Sequence, residues 1–146
     1  MATANLLETI LTYKENINRL TYQNSVLQCQ KSLALYEQSD IRTLEAAKKG
    51  EVRSKYAEIW ESEGYENIKD DPYADYTDLP DYIDEIDRIV AEAQKQIDEL
   101  TNWETFLTNE ITVNDASIQE MKAYLESYQG MLTSNIQEDF EFGLGG

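Results

Sequence analysis

The sequence predicts an all-α protein, an elongated bundle of about four amphipathic helices that form long helical hairpins with coiled-coil-like packing. Three observations predict this fold class. The 146 residues include only six glycines and two prolines, which is few for the turn-rich chain of a β-sandwich. Hydrophobic residues make up 41% and charged residues 28%, as in a chain that folds. Apolar residues recur three and four positions apart, which places them on one helix face.

The first predicted helix runs from about Asn5 to Gln38. Asn5 and Glu8 have the spacing of an N-terminal capping box. The inward stripe of this helix is Leu6, Ile10, Tyr13, Ile17, Leu20 and Leu27. Asn24 occupies the remaining slot of the stripe, where it either specifies the register between helices or lies at a solvated edge.

A second apolar register begins towards the end of the same helix. Its members are Tyr22, Val26, Cys29, Leu33 and Tyr36. This register gives the helix more than one apolar face. Cys29 is the only cysteine, so an intrachain disulfide is excluded. Because no histidine is present to activate its thiol, we expect Cys29 to be a small buried hydrophobic residue and not a nucleophile.

The second predicted helix runs from about Asp40 to Ser62, and Ser39 or Asp40 supplies its N-terminal cap. Its inward stripe is Ile41, Leu44, Val52, Tyr56 and Ile59, with Trp60 at the edge. Gly50 follows two lysines, a pattern that can end a helix. The pair Glu45–Lys49 favours a helix that continues. The sequence leaves both alternatives open at Gly50.

An acidic loop is predicted over residues 63–78. Four of its carboxylates are weak candidates for Ca²⁺ ligands, namely Asp70, Asp71, Asp75 and Asp78. The loop lacks the central glycine and terminal glutamate of an EF-hand. Acidic residues ahead of a helix N-terminus are the favoured alternative, since they interact well with the positive end of the helix dipole. The sequence therefore predicts neither a metal nor a cofactor.

The second half of the chain is predicted to contain two more helices. The third runs from about Leu79 to Asn109, with Pro80 in its first turn. Its inward stripe is Ile83, Ile86, Val90, Ala93, Ile97, Leu100, Trp103 and Leu107. A short extended connection at 111–113 leads to the fourth helix, which ends near Gln137. The inward stripe of that helix is Ile118, Met121, Leu125, Tyr128, Leu132 and Ile136.

These elements predict a single helical-bundle domain over residues 1–137. The remaining residues, 138–146, are predicted to form a short C-terminal tail rich in acidic residues and glycine. Each helix has an apolar stripe that must be buried against a neighbour, which four helices joined by turns accomplish.

The net charge of −17 is concentrated in one half of the sequence. Residues 1–60 carry seven acidic and eight basic side chains, whereas residues 61–146 carry twenty-two and four. This balance argues against direct binding to nucleic-acid phosphates or to anionic membranes, which need clustered lysine and arginine. It suits a basic protein partner, or it serves solubility alone.

The sequence also bears on location. It has no apolar run of the length needed for a membrane span. It shows no basic segment followed by an apolar segment, as a Sec signal would. We expect a cytoplasmic protein, or one exported without a cleaved Sec signal to an extracellular appendage or virion.

Catalysis is not expected. Histidine, the usual general base at neutral pH, is absent. The sequence has no Gly-rich phosphate loop, nucleophile elbow or CxxC motif. The sequence therefore predicts a non-enzymatic protein.

The leading hypothesis is a self-assembling helical subunit, such as a filament protomer or a component of a virion or appendage. The candidate interface residues are Leu6, Ile10, Tyr13, Ile17, Leu20, Leu132, Ile136, Phe140 and Phe142. The alternative is an acidic helical interaction module, for example a chaperone, an adaptor or a nucleic-acid mimic, that binds a basic protein.

Overall fold

The computed structural model describes residues 2–62 and 74–145, with side chains given as far as residue 141. It contains two long α-helices, α1 (Thr3–Ser62) and α2 (Pro80–Gly145). A short 3-10 helix, Tyr76–Asp78, precedes α2. The described residues contain no strand, so the predicted all-α class is confirmed.

The predicted number of helices is not found, because two predicted breaks are helical. Ser39 lies inside α1, where its carbonyl accepts a hydrogen bond from Thr43 Oγ1 at 3.1 Å. Gln38 and Arg42, one on each side of the predicted cap, both form hydrogen bonds with side chains of α2. A helix that ended at the cap could not hold both residues against α2 in this way. The helix is also continuous through Gly50.

The predicted extended connection at 111–113 is likewise wrong. Thr112 Oγ1 donates a hydrogen bond to the Thr108 carbonyl at 2.9 Å. Thr108 lies four residues earlier, which is one turn of an α-helix. Ile111 is only 8% exposed and lies four residues after the fully buried Leu107. A helix keeps both side chains inside, and this burial outweighs the lower helix propensity of β-branched residues.

The helix ends follow simple rules. Helix α1 begins at Thr3, two residues before the predicted cap, and the Leu6 N–H donates to the Ala2 carbonyl at 3.0 Å. Pro80 occupies the first position of α2, as predicted, where its missing N–H costs no hydrogen bond. Helix α2 continues through residue 138 to Gly145.

The described chain divides into two compact units, each built from a segment of α1 and a segment of α2. The first unit consists of Met1–Lys31 and Thr105–Gly146, and the second consists of Ser32–Glu104. Within each unit the two segments are antiparallel. In the first unit, Thr3 contacts Asp139 and Asn24 contacts Asp115. In the second, Gln38 contacts Glu104 and Lys55 contacts Glu85.

The interior of the first unit follows the predicted stripes closely. Buried and half-buried positions alternate three and four residues apart on both helices, which is a seven-residue repeat. On α1 they are Leu6, Ile10, Tyr13, Ile17, Leu20, Asn24 and Leu27. On α2 they are Leu107, Ile111, Asn114, Ile118, Met121, Leu125, Tyr128 and Leu132.

The interior of the second unit departs from the prediction at several positions. Its α1 interior includes Ala34, Gln38, Ile41 and Glu45. Trp60, predicted at the edge, is 7% exposed. Four residues predicted to point inward are exposed, namely Leu44, Ile83, Val90 and Trp103. Ile136 of the first unit is also exposed. A pair of helices buries one stripe of each, so apolar residues outside that stripe stay in solvent.

Candidate functional site

The interface residues predicted from sequence all belong to the first unit, where they differ in accessibility. Leu6 and Ile10 are buried between α1 and α2 of this unit. The half-buried ones are Tyr13, Ile17, Leu20 and Leu132. Ile136 and Phe140 are exposed, at 54% and 65%. The side chain of Phe142 lies outside those that are described.

The acidic residues proposed for Ca²⁺ are only partly within the described chain. Asp70 and Asp71 lie outside it. Asp75 and Asp78 form a capping box around the 3-10 helix. Asp75 Oδ1 accepts the Thr77 N–H at 2.9 Å, and Asp78 Oδ2 accepts the Asp75 N–H at 3.0 Å. The described residues contain no cluster of three or more side chains suited to a metal ion.

Asn24 forms a hydrogen-bond network inside the first unit. It is 9% exposed, and its Nδ2 donates to Asp115 Oδ1 at 2.8 Å and to the Ile111 carbonyl at 3.4 Å. Its Oδ1 accepts a hydrogen bond from Asn114 Nδ2 at 2.9 Å. All these partners belong to α2, so Asn24 lies in the seam and not at a solvated edge. A buried amide with fixed partners favours one register over its neighbours.

Tyrosines fill the seam closer to the chain ends of the first unit. The ring of Tyr13 stacks on Tyr128, with centroids 5.6 Å apart, and lies 6.0 Å from the ring of Tyr124. Tyr13 and Tyr128 are half-buried. The aromatic rings of this cluster therefore pack against each other within the chain.

Glu45 lies at the centre of an ionic cluster in the second unit. Arg42 and Lys49 each approach one of its carboxylate oxygens to 3.0 Å, and Arg42 also donates to Gln94 Oε1 at 3.2 Å. Hydrogen bonds from Lys49 and then from Arg42 hold the pKa of Glu45 below its usual value, against the opposing effect of burial. A cleft of about 200 Å³ lies beside this cluster, with Ala93 in its wall.

The sequence contains a signal for this cluster that the apolar stripes hide. Polar residues occupy the same position of four successive seven-residue repeats on α1, at Asn24, Lys31, Gln38 and Glu45. Asn24, Gln38 and Glu45 each form hydrogen bonds. Seven-residue spacing of polar residues therefore indicates these seam positions in the sequence.

A second aromatic and ionic group lies at the other end of the second unit. Tyr82 packs edge-on against Tyr56 and Tyr76, with ring centroids 5.7 and 5.4 Å apart. Lys55 binds Glu85 at 3.0 Å, and this hydrogen bond raises the pKa of Lys55. Burial raises the pKa of the Tyr56 hydroxyl. These contacts join α1 to the first two turns of α2.

The second apolar register of α1 is exposed in both units, contrary to the expectation for Cys29. In the first unit, Tyr22 is 71% and Val26 40% exposed, and the Cys29 thiol is also exposed. In the second unit, Leu33 is 60% and Tyr36 71% exposed. These residues lie on the side of α1 opposite its seam, because a 3.6-residue helix turns them away from α2.

The second unit carries an exposed hollow on this side of α1. Ser32, Leu35, Tyr36 and Ser39 surround it, and its volume is about 380 Å³. These residues have the i, i+3, i+4, i+7 spacing of the four residues that surround an inserted side chain in knobs-into-holes packing. No sequence pattern indicates this hollow, because each serine taken singly resembles an ordinary polar surface residue.

The two helices differ in charge. Helix α1 carries eight acidic and eight basic side chains, whereas α2 carries fifteen acidic and three basic ones. Neither helix, within the described residues, is long and apolar enough to cross a membrane. Comparison with protein-family models, curated proteins and solved structures gave no match.

Proposed function

We propose that this chain is a non-enzymatic structural subunit that assembles with copies of itself through helix–helix contacts, as a filament protomer or a virion or appendage component does. The observation that carries the proposal is the exposed second register of α1. A helix with apolar residues on opposite sides needs more than one neighbour to bury them.

The intramolecular seam supports the same proposal. Its buried positions follow a seven-residue repeat, so we infer coiled-coil packing of α1 on α2. The outward residues Tyr22, Cys29 and Tyr36 repeat every seven residues as well. Helices with two seven-residue seams at different angles are suited to bundles of more than two helices.

The uncharged character of this surface favours self-assembly over other roles. From Leu20 to Tyr36 the only charged residue is Lys31, which is half-buried. Exposed tyrosines with few charges are typical of the centre of protein–protein interfaces. The acidic α2 would face solvent and limit contact between copies to the uncharged side.

The experiment is negative-stain electron microscopy of the purified chain at physiological salt, with light scattering on the same sample. We expect filaments, closed rings or another discrete multiple of the 16.8 kDa chain mass. Tyr22→Glu and Tyr36→Glu should abolish the assemblies and leave the helical circular dichroism unchanged. Gln28→Glu adds the same charge at an exposed position of α1 that does not lie on this face, and this control should assemble normally.

A monomer at all concentrations, with the same mass in the Tyr36→Glu variant, would contradict self-assembly.

The second candidate function, an acidic module for a basic protein, rests on the fifteen acidic residues of α2. It predicts that a polylysine peptide binds the monomer with an affinity that falls steeply with salt. Self-assembly through uncharged tyrosines should instead persist as salt is raised.

A further inference from the structure

The cleft beside the Glu45 cluster, here called the Ala93 cleft, lies between the two helices of the second unit. Ile41 and Leu44 of α1 and Ile89 and Ala93 of α2 form its apolar walls. Its volume is about 200 Å³. An apolar cavity of about 150 Å³ is large enough to hold a benzene molecule. The Ala93 cleft can therefore accept one aromatic ring with a small substituent.

The cleft exists because a seam position carries a small side chain. On α2, the seven-residue series that includes Ala93 continues with Leu100 and Leu107. A leucine extends into the seam at those levels, whereas the alanine side chain is a single methyl group. Glu45 does not fill the space from α1, because both cations that bind its carboxylate belong to its own helix. Space therefore remains between the helices at this level.

Two basic side chains line the same cleft from the two helices, Lys48 from α1 and Arg88 from α2. Both residues are exposed, so their charged groups stay hydrated at the mouth of the cleft. Within the part of the chain that the structure describes, neither forms an ion pair. Both cations are therefore available to an anion that enters the cleft.

The carboxylates around the cleft do not outweigh these cations. Glu45 is bound by Arg42 and Lys49, and Glu92 is the other acidic residue in the lining. The cleft and its ion cluster together contain four cations and two carboxylates. This local balance is positive in a chain whose net charge is −17. An anion is therefore attracted to this place more than to the rest of the surface.

We infer that the Ala93 cleft binds a small aromatic carboxylate, with the ring against the apolar walls and the carboxylate between Lys48 and Arg88. Ligand sites combine apolar walls with a few polar groups that fix the orientation of the ligand. A guanidinium suits a carboxylate because it can donate two parallel hydrogen bonds. The inference does not depend on self-assembly and adds a ligand site to the proposed structural role.

The first experiment titrates the wild-type chain into 4-fluorobenzoate and follows the fluorine NMR line width of this probe. We expect a dissociation constant of about 1 mM, as is reasonable for so small a ligand. The neutral 4-fluorobenzamide has the same ring and should bind about fivefold more weakly or less well still. The affinity for 4-fluorobenzoate should fall as salt is raised. A probe that does not bind, or equal affinities for the two probes, would overturn the inference.

The second experiment locates the probe by filling the cleft. Ala93→Leu places a larger side chain in the space, so binding of 4-fluorobenzoate should be lost while the helical circular dichroism is kept. Ala91→Leu is the matched control, because Ala91 is exposed on the same helix and does not line the cleft. This control should bind as the wild type does. Binding that survives Ala93→Leu would place the probe elsewhere and refute the site.

The third experiment removes the two cations and leaves the apolar walls intact. The double variant Lys48→Gln, Arg88→Gln should bind 4-fluorobenzoate about tenfold more weakly, and its affinity for 4-fluorobenzamide should not change. Arg53→Gln, Lys122→Gln is the control, since it changes the net charge equally at exposed positions outside the cleft. Equal losses in the two double variants would show that only the overall charge matters, and would refute recognition by Lys48 and Arg88.

Discussion

The two units bury different kinds of interior between the same two helices. The first unit contains two leucines that are fully removed from solvent, Leu6 and Leu107, and a hydrogen-bond network at Asn24. The second unit replaces apolar contacts near its middle with the Glu45 ion cluster, and a cleft of about 200 Å³ lies beside it. Burial of leucine is not screened by salt, whereas exposed ion pairs are. One helix pair can therefore respond to solution conditions differently along its sequence.

The largest expected effect breaks the apolar interior of the first unit. Leu107→Ala should lower the free energy of unfolding by about 3 kcal/mol, because it removes buried methyl groups and leaves a cavity. Urea unfolding followed by circular dichroism measures this change. Leu7→Ala is the same substitution at a side chain that is 52% exposed, and it should cost less than about 1 kcal/mol. Equal losses in the two variants would show that Leu107 is not buried as described.

A smaller loss is expected from the hydrogen-bond network at Asn24. Asn24→Ala should lower the free energy of unfolding by about 2 kcal/mol, since Asn114 and Asp115 lose a buried partner. The loss should vary little with salt, because the substitution leaves the net charge of the chain unchanged. Asn18→Ala, at an exposed position of α1 in the same unit, should change stability by about 0.5 kcal/mol or less. A strong salt dependence of the Asn24→Ala loss would argue for an electrostatic role instead.

A matched pair of alanines tests the cleft in the second unit. Ala93 and Ala34 are 6% and 3% exposed, but only Ala93 lines the cleft. Ala93→Leu should raise the free energy of unfolding by about 1 kcal/mol by filling that space. Ala34→Leu should lower it by about 2 kcal/mol, because it overpacks an interior without a cleft. Thermal unfolding measures the stability of both variants. If both lost a similar amount of stability, the cleft beside Ala93 would be closed in solution.

The smallest expected effect concerns the ion cluster, because Arg42 is still 53% exposed and exposed pairs contribute little. The lowered pKa of Glu45 means that its stabilising contribution is fully present above the usual glutamate pKa of about 4.3. That contribution is lost as the pH falls through the lowered pKa. Glu45→Gln should therefore be less stable than wild type at neutral pH and low salt, and the difference should shrink in acid and in high salt.

Tryptophan fluorescence is the suitable measurement for Glu45→Gln, because both tryptophans, Trp60 and Trp103, belong to the second unit. Circular dichroism reports on the helices of both units. Glu51→Gln removes an exposed carboxylate from the same helix and should show no such dependence. A difference between Glu45→Gln and wild type that stays constant from neutral pH to strong acid would contradict the assigned ion cluster.

The helical class and the first-unit seam could be predicted from sequence because both depend on local periodicity. Leu6, Ile10 and Leu107 repeat at helical spacing, and all are buried. The number of helices could not be predicted in the same way. Ser39 and Asp40 have the chemistry of a cap, but cap residues permit a helix start without forcing one. Contacts between Gln38 and Glu104, 66 residues apart, decide that α1 continues.

The candidate surface was harder to predict, for a related reason. The spacing of Tyr22, Cys29 and Tyr36 identifies a face, but spacing does not tell whether that face meets a neighbour in the same chain. The structure places α2 on the opposite side, so the face is exposed and Cys29 is not buried. The hollow between Ser32 and Ser39 exists because the two serine side chains are small. A pattern of apolar residues in the sequence does not reveal such a space.

Two glycines inside the helices have a consequence for the motion of the chain. Gly50 and Gly130 lie within α1 and α2, and a Cβ at either position would meet nothing within 4 Å. Neither glycine is therefore required by close packing, yet each lowers local helix stability by about 1 kcal/mol relative to alanine. Local opening is favoured at such weak points. Backbone amides near these glycines should exchange their hydrogens with solvent sooner than those a turn or two away, so each long helix has a built-in place to open.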